Sequence, residues 1–314
     1  MSDRFVWTPN VTRGKWLRPM ESEPFGSILS IVPRGFEMYA RVFHPVERDR
    51  PRGSQTWQGV DEENLFTSAQ DIDSFLETER ATWAQTAASF GTIMHANAQY
   101  SRLVRREYGD SDGAIAPDGW RYGDSDEGRL DAASVATVAA VLSRHTTTPD
   151  VGTAAIWDGW GGLTSSAGVF VFEANEDASS HDPGEGSAYI AELPSFIPHP
   201  WLESNNDEPG PGVLTREAAT GPRFDLHGNT GRHYILFEAG ANDFADASWP
   251  DQAPWVDDSP WAHSPSILWP EDHAWVLATE IDFDSTLIAG SAALIRELMQ
   301  TPELEVWPIR TDAD

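Results

Sequence analysis

The sequence predicts an α+β fold, mainly antiparallel sheet with a few flanking helices and long loops rich in Pro, Asp and Trp. Three observations carry that expectation. Short apolar runs bounded by Gly, Pro and Asp fill the second half of the chain, the pattern of buried or half-buried strands. Helical periodicity is confined to a few segments flanked by stop signals. The strands come in runs and do not alternate with helices, which favours α+β over α/β.

In chain order, Ser27 to Val32 is an apolar run closed by Pro33, and Phe36 to Val46 alternates bulky and polar residues up to Pro45; both are expected as strands. Residues 48 to 64 are polar and turn-rich. Ser68 to Phe90 places Ile72, Phe75, Leu76, Trp83 and Ala87 at helical spacing before Gly91, which predicts a helix. From Glu107 to Gly128 an acidic segment repeats a Tyr-Gly-Asp-Ser-Asp motif, at Tyr108 and again at Tyr122, and is expected as a surface loop. Asp131 to His145 predicts a second helix with Asp131 as N-cap, closed by Pro149.

Beyond it, Ala154 to Trp157, Gly168 to Glu173, Ala188 to Leu193 and His233 to Phe237 are expected as strands, with a hairpin over Phe224 to Phe237 centred on Gly228-Asn-Thr-Gly231. Ala274 to Ile281 reads as a strand, Ser291 to Met299 as an amphipathic helix and Leu304 to Ile309 as a last strand. No Pro- or Ser-rich linker divides the chain, so residues 1–314 are expected as one continuous domain. The alternative is a helix-richer half, 1–146, and an acidic strand-rich half, 147–314.

Charge argues for that alternative. The net charge is −29, and residues 1–144 hold 21 acids against 16 bases while residues 145–314 hold 29 against 5. From Arg144 to Arg216, and from Arg232 to Arg296, no Lys or Arg intervenes, yet each gap holds eleven acids; eight of the fourteen Trp lie in these two windows. Such a field repels nucleic-acid backbone and anionic lipid and attracts cationic proteins, amines and metal ions, so no direct nucleic-acid binding is expected. Lys15 is the lone lysine, which fits a GC-rich genome. With no cysteine, disulfides and thiolate chemistry are excluded. No apolar stretch near the N-terminus has signal-peptide length and none elsewhere reaches about twenty residues, so a cytoplasmic setting away from membranes is expected.

The catalytic motifs are weak. Asp282-Phe-Asp-Ser-Thr286 looks like the first motif of the haloacid-dehalogenase phosphatases, with a nucleophilic and an acid-base Asp, but only about thirty residues follow and none is lysine. The duplicated Gly-Asp-Ser-Asp segments lack the further ligands of a calcium loop. The nine histidines form neither HExxH nor HxH; His227 and His233 flank the predicted hairpin turn beside Asp225. Gly159-Trp-Gly-Gly162 lacks the lysine of a P-loop, and the serine-hydrolase elbow Gly-X-Ser-X-Gly is absent. Glu173, Glu192, Glu238 and Glu280 form a pool from which a glycosidase pair could be drawn. No metal site and no cofactor is expected.

Trp249, Trp255, Trp261, Trp269 and Trp275 run through a segment dense in Pro and Asp. Exposed indoles beside carboxylates can cage a cation or anchor a partner; equally, large side chains can pin an irregular loop to the core. The candidate partner-binding residues are Trp249, Trp255, Asp257, Asp258, Trp261 and Trp269.

His145-Thr-Thr-Thr-Pro149 leading to Ile156-Trp-Asp-Gly-Trp-Gly161, then Leu268-Trp-Pro-Glu-Asp-His-Ala-Trp275, then Ala278-Thr-Glu-Ile-Asp-Phe-Asp-Ser-Thr286 with Gly290-Ser291, together resemble an uncharacterised family of acidic, Trp-rich cytoplasmic proteins common in actinobacteria. The resemblance carries no activity; it implies that Asp-Phe-Asp-Ser-Thr is a strand-to-helix turn. The leading expectation is a non-enzymatic binding protein for a basic protein or cationic ligand, such as an immunity-type or inhibitor protein. The alternative is a hydrolase acting on a sugar or cationic small molecule through Glu or Asp with Trp stacking.

Overall fold

Two antiparallel sheets organise the computed structural model, which describes residues 4–24, 26–60, 75–105, 113–164, 212–226 and 232–311. In chain order the described strands are β1 (Val6–Trp7), β2 (Met38–Phe43), β3 (Val46–Pro51), β4 (Leu76–Ala81), β5 (Ala114–Ile115), β6 (Arg121–Ser125), β7 (Gly152–Trp157), β8 (Phe224–Asp225), β9 (His233–Glu238), β10 (Ile267–Pro270), β11 (Val276–Thr279), β12 (Ser285–Gly290) and β13 (Val306–Ile309). The described helices are α1 (Trp83–Phe90), α2 (Tyr100–Leu103), α3 (Ala132–Leu142), α4 (Arg216–Thr220), α5 (Ala241–Phe244) and α6 (Ala292–Met299), with 3₁₀ turns between them. The fold is the mixed α+β architecture expected.

The large sheet runs β1-β9-β7-β10-β11-β12-β2-β13, with β8 beside β9; the small one runs β4-β3-β6-β5. β1 and β2, from the first half of the chain, pair with β9, β12 and β13 from the second. β10, β11 and β12 are buried along their whole lengths, because the sheet is covered on both faces and apolar side chains are driven from water on each. One face carries Val42, Ile156, Ile235, Phe237, Leu277 and Ile288 against α3, α5 and α6. The other carries Tyr234, Ile267, Trp269, Val276 and Leu287 against Leu17, Met20 and Leu29 of two 3₁₀ segments, Val11–Ser22 and Ile28–Ser30. A separate cluster around Trp83, Tyr100 and Tyr122 packs the small sheet on α1 and α2.

Helix ends follow local chemistry. Thr82 and Gln85 form a capping box on α1, and Gly91 closes it with φ 61°, a left-handed geometry that suits glycine. Asp131 caps α3 as expected and Ser291 caps α6.

Four expectations are corrected. Ser27 to Val32 is no strand: Ile28–Ser30 is a 3₁₀ turn with Leu29 and Val32 buried, and a short apolar run does not distinguish the two. Within the helix expected over 68–90, only Trp83–Phe90 is helical and Leu76–Ala81 is a strand; residues 68–74 lie outside the described residues. Its charges decide the pairing, since Glu77 faces Arg50 and Glu79 faces Arg48 across β3, and opposite charges on facing strands support a ladder. The second Tyr-Gly-Asp-Ser-Asp copy is not loop but mostly β6, with Tyr122 in the core; the first copy, 108–112, lies outside the described residues. Finally, Asp282 to Asp284 lies in the turn between the antiparallel strands β11 and β12, and Ser285 and Thr286 begin β12, so the motif leads from strand to strand.

β7, β9, β11, α6 and β13 match the predicted elements, and β8 pairs with β9 as the predicted hairpin requires. Its turn, 227–231, and the strands predicted at 168–173 and 188–193 lie outside the described residues.

Candidate functional site

The tryptophan-rich loop divides sharply by exposure. Trp249, Trp255, Trp269 and Trp275 are at most 2% exposed, whereas Trp261 is 66% exposed. Trp249 and Trp255 pack with Phe5, Phe237 and Phe244, and Trp255 Nε1 donates to the carbonyl of His263 at 3.1 Å. Trp269 sits edge-on to Trp16. Trp249 and Trp255 of the loop and Trp269 of β10 thus offer a partner almost no indole surface, because their burial stabilises the fold more than exposing them would. Of the candidate residues, Trp261, Asp257 and Asp258 remain at the surface. The Arg129 guanidinium lies 4.8 Å from the Trp261 ring centre. Neither Asp257 nor Asp258 is ion-paired among the described residues.

Beside this loop, Trp160 stacks on His263 with ring centres 3.8 Å apart. Burial, aided by Arg129, pushes the His263 imidazole down to about 4, so it is neutral near pH 7.

A second feature was not foreseen. A cleft of about 690 Å³ lies between the Val11–Ser22 and Ile28–Ser30 cover and the large sheet. This volume lies in the range of small-molecule sites. Ile31, Leu226, Ile267, Ala278 and Phe283 line it with apolar surface, and Tyr234 adds a phenol. Glu21, Glu23, Glu280 and Asp282 also line it, against the single guanidinium of Arg232. Arg232 donates to Glu280 at 2.6 Å and to Asp282 at 2.8 Å. Arg34 clasps Glu23 through Nε and Nη2 at 2.5 and 2.8 Å, and that hydrogen bonding lowers the Glu23 pKa. Burial raises the Tyr234 phenol, and the Glu280 charge adds to the effect.

The remaining motif residues are structural. Asp282 pairs with Arg232, and Asp284 with Arg41 at 2.9 Å; burial outweighs Arg41 and raises the Asp284 carboxyl. Both positions of the phosphatase-like motif are therefore arginine-held on a turn between strands. Glu238 lies 3.7 Å from Arg13; Glu173 and Glu192 lie outside the described residues. His233 faces Asp225 across the β8–β9 pair, and His227 lies outside the described residues. Among the described residues no group of three or more His, Asp or Glu is placed to hold a metal ion, and no helix is long and apolar enough to cross a membrane.

The sequence marks three cleft residues, each for an unrelated reason: Arg232 opens the second cation-free window, Glu280 belongs to the carboxylate pool and Asp282 begins the phosphatase-like motif. The lining residues come from four separate stretches of chain, so no spacing could have grouped them.

Fold and sites together define an α+β protein with an acidic, partly aromatic surface and an amphipathic cleft. Compared with protein-family models, with curated proteins and with solved structures, the chain matches none.

Proposed function

We propose that this chain is a non-enzymatic binding protein for a basic partner, of the immunity or inhibitor type, met at the surface around Trp261. The observation that carries the reading is the contrast within one loop: Trp249 and Trp255 are locked in the core while Trp261 is 66% exposed. Anchoring on both sides presents the indole on a fixed scaffold, which lowers the ordering cost of binding, and a preorganised Trp is a typical hot spot. Asp257 and Asp258 beside it, within a chain of net charge −29, favour encounter with a cationic surface. A cytoplasmic setting and membership of the actinobacterial family that the sequence resembles belong to the same proposal.

The hydrolase alternative has less support. Glu280 and Asp282 in the cleft share one arginine, whereas a glycosidase needs a carboxyl of raised pKa facing a second one.

The test is capture from native lysate by the full chain and by Trp261→Ala and Asp257→Asn/Asp258→Asn variants, at low and moderate salt. The expected outcome is recovery of a basic protein by the wild type, cut roughly tenfold by Trp261→Ala and weakened by salt and by the Asn variant. Capture indifferent to all three changes would refute the proposal.

A further inference from the structure

We propose that the cleft beneath the 3₁₀ cover is a binding site for an organic cation with an apolar body, a role separate from the partner surface at Trp261. The argument begins with its two-sided chemistry. Ile31, Ile267, Ala278 and Phe283 give the cleft an apolar lining, which rewards a hydrophobic ligand body. Its polar edge is anionic, with four carboxylates against one guanidinium.

Among the described lining residues an anionic ligand has no free cation to meet. Arg232 is already bonded to both Glu280 and Asp282, so an incoming carboxylate or phosphate would displace one of them and face the others. A bare metal ion is less well suited, since among the described residues no three carboxylates or histidines converge to hold one and the apolar part of the lining would go unused. Glu23 is held by Arg34. Glu21, by contrast, is an exposed carboxylate without an ion-pair partner among the described residues, and it is the group left to receive an ammonium. Tyr234 and Phe283 add aromatic surface to the lining, which suits a cation or a flat apolar body. The neutral Tyr234 phenol, kept so by burial and Glu280, adds a hydrogen-bonding group and no competing charge.

Titration calorimetry of the full chain with three probes of one shape tests this: 4-phenylbutylammonium, 4-phenylbutanol and 4-phenylbutyrate. The ammonium should bind about fivefold more tightly than the alcohol, and the carboxylate more weakly than either. Glu21→Gln should cut the preference for ammonium over alcohol several-fold and leave alcohol affinity unchanged. Ala278→Phe, which fills the cleft from the sheet, should abolish binding of both; Ile31→Trp, from the cover, serves if circular dichroism shows that variant unfolded. Equal affinity for alcohol and ammonium, no heat with any probe, or a preference untouched by Glu21→Gln would overturn the proposal. Because Trp261→Ala tests the partner surface and Glu21→Gln the cleft, failure of one leaves the other standing.

Discussion

His44 joins the two sheets, and burial favours its uncharged form. Its Nδ1–H donates to the Asp126 carbonyl at 2.6 Å, and its Nε2 accepts from the Thr286 hydroxyl at 2.9 Å, which in turn accepts from Thr279 at 2.8 Å. Trp83 and Ser125 both donate to the His44 carbonyl. Burial pushes this imidazole from 6.5 down to about 4, against the Asp126 carbonyl that favours the charged form. A depressed histidine pKa means that the unfolded chain takes up the proton first. The stability is complete above pH 6.5 and is lost as pH falls toward 4, by up to about 3 kcal/mol. Half-buried Asp284 and Glu305, with raised pKa values, act in the opposite sense in acid, so wild type must be compared with His44→Gln. Urea midpoints from pH 7.5 to 4 should fall more steeply for the wild type; parallel profiles would contradict this role. A second expectation concerns the indoles. Trp249→Ala and Trp255→Ala should each cost about 3–5 kcal/mol, and Trp261→Ala less than about 0.5, in the same denaturation assay. Sequence identified all three as large aromatics in a Pro-rich loop, but exposure depends on which core each indole can reach.

At the scale of elements, capping chemistry was legible where it is local. Asp131 before an Ala- and Val-rich run, and Gly91 after Phe90, marked helix ends because a cap requires only residues within one turn. Thr82→Ala should lower stability by about 1 kcal/mol through loss of the Thr82–Gln85 box, read as a fall in thermal midpoint. Asp131→Ala should cost more, since Asp131 both caps Ser134 and accepts from Arg80. Strand β4 was illegible for the opposite reason. Its Glu77, Glu79 and Arg80 look like the polar face of a helix until β3 places Arg50, Arg48 and Glu47 opposite them. The segment from Asp282 to Thr286 leads into a strand and not the expected helix, because the strand nature of Ser285–Gly290 depends on pairing with both β11 and β2.

For the whole molecule, charge is the dominant long-range force. A net charge of −29 repels itself in the folded state, and salt screens that repulsion over a Debye length of about 10 Å at 0.1 M. Thermal midpoints should therefore rise between low salt and 0.5 M NaCl; a fall would show that surface pairs such as Arg144–Glu297 outweigh the net repulsion. By itself, the sequence determined the α+β class, the capped helices and the acidic, lysine-poor surface, since these follow from composition and from contacts along a few residues of chain. Only the tertiary structure decided that four of five tryptophans are core and one is surface, and that Arg232 is shared by Glu280 and Asp282 over an apolar cleft. Those outcomes depend on sheet order and on burial against distant segments, and sheet order depends on pairing between strands as far apart as β1 and β9, whose register no local pattern encodes.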